Sequence, residues 1–100
     1  MIIHSVTYAM EENLEQDWLS FMKSTFLPAM MDTGYFEGYQ FTRVIPEVGT
    51  DTAYNVQFKC FNLEKLNLFF EKVQEEINSL MINRYKGKFA SFATKLEEVL

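Results

Sequence analysis

The sequence predicts an α+β domain of the ferredoxin-like type, βαββαβ, with a four-stranded antiparallel sheet and two helices on one face. Three observations point there. Four segments rich in β-branched and aromatic residues alternate with two segments of helical period, in the order β-α-β-β-α-β. The 100 residues contain no repeat, no low-complexity tract and no dividing linker, so 1–100 is a single domain. Finally, the second strand carries large apolar groups on both sides, more than two helices can cover, which predicts that a second copy of the sheet covers the other face.

Residues 2–10 (IIHSVTYAM) lack Gly and Pro and are expected to form the first strand. Asn13 is the expected N-cap of the first helix, with Glu15 and Asp17 favoured in its opening turns by the helix dipole. Leu14, Trp18, Phe21, Met22 and Thr25 share one helical face. Pro28 disfavours helical geometry at Leu27, so this helix is expected to stop near Thr25; Pro28 then starts a short second turn that Gly34 ends.

Segments 35–45 and 51–61 are the next two strands, joined by a hairpin loop marked by Pro46, Gly49 and Asp51. In the first of these, alternation sends Phe36 and Val44 one way and Tyr39, Phe41 and Ile45 the other. Asn62 caps a long helix whose stripe is Leu63, Leu66, Phe70, Val73, Ile77 and Leu80. Gly87 ends it, and 88–100 is the last strand, fraying after Leu96, with Ala90, Phe92 and Leu96 opposite Phe89 and Ala93. Four apolar side chains of about 100 Å² each on an uncovered face, at about 25 cal/mol per Å², favour association by several kcal/mol before the costs of binding. A homodimer with its two sheets face to face is therefore predicted.

Asp32-Thr33-Gly34 matches the catalytic triplet of aspartic proteases. Its context differs: the residues before Asp32 run at helical spacing, whereas protease triplets sit in loops of nearly all-β dimers. The triplet is expected to close a helix.

The net charge of −5 and the lack of any basic run argue against nucleic acid and anionic membranes as partners. No stretch approaches the roughly 20 apolar residues of a membrane span, and the first residues lack the features of a signal peptide, so a cytoplasmic location is expected. One cysteine and one histidine exclude an internal disulfide and the usual zinc sites; no metal or cofactor is predicted. The adjacent pairs Glu11-Glu12, Glu75-Glu76 and Glu97-Glu98 do not face each other and are solvated charge rather than acid/base pairs. Phosphate-cradling glycine loops, dinucleotide fingerprints and nucleophile elbows are all missing.

Several spaced residues resemble a family of small bacterial proteins, the domain-of-unknown-function family 4286. They are Met1-Ile2-Ile3, Asp17-Trp18-Leu19, Met22-Lys23, Pro28 and Thr33-Gly34-Tyr35-Phe36, then Tyr54, Val56-Gln57, Cys60 and Lys88-Phe89-Ala90-Ser91-Phe92. The resemblance implies a ferredoxin-like fold of the dimeric α/β-barrel type and no settled activity. This chain departs from the family pattern at Phe26-Leu27-Pro28, where members carry His-Ile-Pro, and at Phe21, where they carry a second Trp. It departs also at His4, often Tyr, and at Asp32, often Ala.

Four residues are candidates for a ligand pocket: His4, Tyr39, Arg43 and Tyr54. His4 changes charge near neutral pH and lies on the first strand; the blander reading is a hydrogen-bonded or exposed sheet histidine. Arg43, among apolar neighbours, needs an anionic mate if covered, either a carboxylate or a ligand, and otherwise sits in solvent near the strand end. Tyr39 and Tyr54 suit a pocket wall or the core. Trp18 belongs with the core, and Cys60 is an inert, half-buried thiol. No catalytic residue set converges. The expected function is a homodimer that encloses a small ligand between paired sheets. The alternative is a cofactor-independent monooxygenase or isomerase by fold analogy, although haem-degrading barrels use an Asn, a Trp and a His, and this chain has no second histidine.

Overall fold

The computed structural model describes residues 1–49 and 51–100. Strand β1 (Ile2–Met10) leads through a 3-10 turn (Glu12–Leu14) to helix α1 (Glu15–Phe21), a π-helical turn (Met22–Phe26) and helix α2 (Leu27–Asp32). Strands β2 (Gly38–Arg43) and β3 (Thr52–Cys60), helices α3 (Leu63–Lys72) and α4 (Gln74–Tyr85), and strand β4 (Phe89–Glu97) follow. The sheet order is β2-β3-β1-β4 and every neighbouring pair is antiparallel, which is the predicted ferredoxin-like arrangement. The helical side is a continuous run over 12–32 plus α3 and α4.

Two helix expectations change. Winding begins at Glu12, not after Asn13, and no side chain caps it. Nor does the helix stop near Thr25. Pro28 lacks an N–H and its ring crowds the carbonyl four residues back. The chain adapts by a π turn, in which the Leu27 N–H reaches the Met22 carbonyl, five residues back, and the helix continues through Pro28. Asp32 is exposed on the last turn of α2, the Thr33 hydroxyl donates to the Met30 carbonyl at 2.6 Å, and Gly34 adopts φ 81°. The protease-like triplet closes a helix.

Asn62 caps α3 as predicted, its side chain accepting from the Lys65 N–H at 2.8 Å. The single long stripe does not survive. Val73 (φ −130°) breaks the helix and shifts its phase, so Leu66, Phe69, Ile77, Met81 and Tyr85 are buried while Leu63 and Leu80 face outward. Tyr85 then donates to the Asp17 carboxylate at 2.7 Å, tying the end of α4 to α1.

The largest correction concerns β2. Tyr39 and Phe41 do not lie on the sheet face opposite Phe36. The chain bends over 34–37 before the strand begins at Gly38, which resets the alternation. Phe36 is buried, and its ring packs on Phe58 at 5.2 Å; Tyr39 packs on the same Phe58 at 6.2 Å, and Phe41 packs on Trp18 at 5.9 Å. All three therefore face the helices. The open face of the sheet is mixed rather than greasy, with Ile3, Phe92 and Leu96 among Ser5, Thr7, Gln40 and Gln57. At its centre the Asn55 amide donates to the hydroxyls of Ser5 (3.0 Å) and Thr7 (3.1 Å).

Candidate functional site

The strand register places all four candidate residues on the helix-facing side of the sheet, in two rows. One row crosses the sheet as Lys95, His4, Phe58 and Tyr39; the other as Ser91, Tyr8, Tyr54 and Arg43. None of the four can line a cavity between two facing sheets, because each points toward its own helices.

The two ends of these rows have different surroundings. Toward β2, the rings of Trp18, Tyr54 and Phe41 pack at 5.3–5.9 Å. Tyr54 donates to the Glu15 carboxylate at 2.5 Å, and Arg43 pairs with the same carboxylate at 3.5 Å. Burial and that carboxylate push the Tyr54 phenol up. Arg43 thus lies exposed near the strand end, the second of the two expectations for it, and there meets Glu15. Trp18, 1% exposed, is a core residue, although its indole N–H has no hydrogen-bond partner. Tyr39 is 45% exposed at the strand edge. Cys60 is fully buried, its thiol donating to the Tyr35 carbonyl at 3.3 Å.

Toward β4 the packing opens. Ser91 and Ala93 are too small to meet the helices, and a cavity of about 260 Å³ lies between β1 and β4 on one side and α2 and α4 on the other. Its apolar wall includes Val6, Phe26, Met30, Met81 and Phe89; its polar atoms come from His4, Gln74, Asn78 and Ser91. A second lobe of about 200 Å³, lined by Phe70, Thr94 and Lys95, shares His4, Gln74 and Ala93 with the first. His4 therefore stands at the waist between the two.

His4 is 5% exposed and its Nδ1 has no hydrogen-bond partner. Rings surround it: Phe70 edge-on at 5.1 Å, Phe58 and Phe69 at 6.1 Å and Phe36 at 6.4 Å. Burial, assisted by the nearby Lys95 ammonium, lowers its pKa to about 4. At neutral pH it is an uncharged imidazole, held among aromatic rings with its Nδ1 buried. Tyr8, deeper in the same cavity, is held protonated because burial raises its phenol.

Sequence reasoning named His4 and missed the rest of the cleft. Two signals were present: the small pair Ser91 and Ala93 on one side of a strand, and Gln74 and Asn78 one turn apart on a helix whose neighbouring turns bury Ile77 and Met81. Among the described residues there is no cluster of three His, Cys, Asp or Glu able to hold a metal ion, and no helix is long and apolar enough to cross a membrane.

Solved structures share this architecture at low identity, which bears on fold alone. An ethyl tert-butyl ether degradation (EthD) family protein from Bacillus halodurans is 12% identical, with a TM-score of 0.71, over 99% of this chain and 100% of that one. A dimeric ferredoxin-like protein from an uncultured marine organism is 14% identical, with a TM-score of 0.73, over 100% and 96%. A MhuD variant, whose structure holds two manganese protoporphyrin IX molecules per active site, is 16% identical, with a TM-score of 0.69, over 100% and 96%. No curated protein matches the sequence. The family model for the domain of unknown function DUF4286 matches residues 1–99, and the chain belongs to that family.

Proposed function

We propose that the protein is a homodimer in which each subunit binds one small, largely apolar molecule in the cleft between its own helices and strands β1 and β4. The observation that carries this reading is the cavity itself, with apolar walls and the His4 imidazole at the waist between its two lobes. A volume of about 260 Å³ falls just below the roughly 300–1,000 Å³ of pockets that enclose drug-sized ligands, so the occupant is well short of porphyrin size. The sheet's open face supports the dimer, since Ile3, Phe92 and Leu96 remain without cover, as does the dimeric state of one solved neighbour. The second copy thus covers the open face and leaves the cleft within each subunit.

Binding is favoured over cofactor-independent oxygenation or isomerisation by the basicity of His4. Proton abstraction is most efficient when the base titrates near the working pH, and an imidazole with a pKa of about 4 is a weak base at pH 7. Native mass spectrometry of the gently purified protein tests the proposal. The expected result is a dimer of 11.8 kDa subunits retaining a small molecule, one per subunit. A bare monomer that takes up no small apolar compound contradicts it. In a quinol-oxidation assay, His4→Ala is expected to leave the background rate unchanged.

A further inference from the structure

We propose that the ligand of this cleft is a small monocarboxylate, its apolar or aromatic body in the larger lobe and its carboxylate between Lys95 and His4. This deepens the proposed function and rests on it. The first argument is charge. The protein carries a net charge of −5, yet among the described residues neither lobe is lined by any Asp or Glu, and the one charged residue lining the cleft is Lys95. Lys95 makes no ion pair among the described residues; its ammonium instead rests over the Phe70 ring, 5.1 Å from the centroid. A cation held by an aromatic face at the mouth of an apolar cavity is available to an incoming anion.

The second argument is the division of labour between the lobes. The smaller lobe gathers His4, Gln74 and Lys95, which between them offer an imidazole, an amide and an ammonium. The larger lobe offers Val6, Phe26, Met30 and Phe89 to a hydrocarbon or ring. One end recognises charge and the other shape, as in a site for an amphipathic acid. His4 connects them. The groups facing it are Lys95 from β4, Phe58 from β3 and Phe69, Phe70 and Gln74 from the helical layer, so the only charge acting on it is positive. A carboxylate arriving beside it reverses that sign, and the imidazole takes up a proton as the ligand binds.

Calorimetric titration of the full chain with naphthalene-2-acetate and with its neutral amide, in buffers of different ionisation enthalpy at pH 6, reads both features. The acid is expected to bind about tenfold or more tightly than the amide, with net proton uptake. Lys95→Gln, at an exposed position, is expected to erase the preference by lowering acid affinity to that of the amide. Amide binding equal to acid binding, or a preference that persists in Lys95→Gln, overturns the carboxylate assignment and leaves the cleft as a binding site. Binding of neither compound overturns the site as well.

Discussion

The two strands that flank β1, interior β3 and edge strand β4, are built to different standards on their helix-facing side. On the β3 side, Tyr54, Val56, Phe58 and Cys60 are all buried, and the polar atom of Tyr54 is matched to Glu15. On the β4 side, Ser91, Ala93 and Lys95 face the same helical layer and remain exposed, and the buried imidazole beside them has no partner. Both strands pair with β1 and take their residues from the same alternating pattern. The difference is strand position and side-chain volume: interior β3 is filled by large residues such as Tyr54 and Phe58, whereas a serine and an alanine leave edge strand β4 hollow. The filled strand holds the fold together, and the hollow one borders the proposed ligand cleft.

Substitutions can break that contrast. Trp18→Ala, against the filled strand, is expected to cost about 3–5 kcal/mol in urea unfolding, since it empties a close-packed aromatic cluster. A loss below about 1 kcal/mol would show that this strand is not well packed. Next comes His4. Its pKa is about 4 in the folded chain and 6.5 as the ordinary value, so the folded state prefers the neutral ring. The stability that this preference protects is whole above pH 6.5 and is lost as pH falls from 6.5 toward 4, by about 3 kcal/mol. Unfolding curves at pH 7 and pH 4.5 should show that decline in the native chain and a flatter one in His4→Phe.

Smaller effects sharpen the picture. Tyr54→Phe removes the hydrogen bond to Glu15 and is expected to cost about 1 kcal/mol. Arg43→Met should change stability by no more than about 0.5 kcal/mol, because the pair it breaks is more than half exposed on the arginine side. At the hollow edge, Ala93→Leu is expected to abolish ligand binding with little change in stability, since it fills space that nothing occupies. A large destabilisation would mean that β4 meets the helices after all.

Periodicity made the element order, the Asn62 cap and the Gly34 stop legible in the sequence, because each is a local property of a few neighbouring residues. The π turn at Pro28, the break at Val73 and the reset of alternation before Gly38 were not. Each is a slip of phase by a fraction of a turn or by one residue, and each is decided by tertiary packing. The slip before Gly38 mattered most, since it moved Tyr39 and Phe41 to the helix side and removed the main argument for a greasy outer face. For the site, His4 was visible as the lone histidine on a buried strand. The cleft was not, because a cavity is recorded by small residues on one strand facing polar residues on a distant helix.

The central claim is that His4 sits as a buried, neutral imidazole beside a cleft that accepts a ligand. A pH titration of the His4 ring by NMR, with and without naphthalene-2-acetate, tests it most directly. The expected ring stays neutral down to about pH 4 in the free protein and titrates higher once the acid is bound. A ring that titrates near 6.5 and is indifferent to the compound would contradict the account.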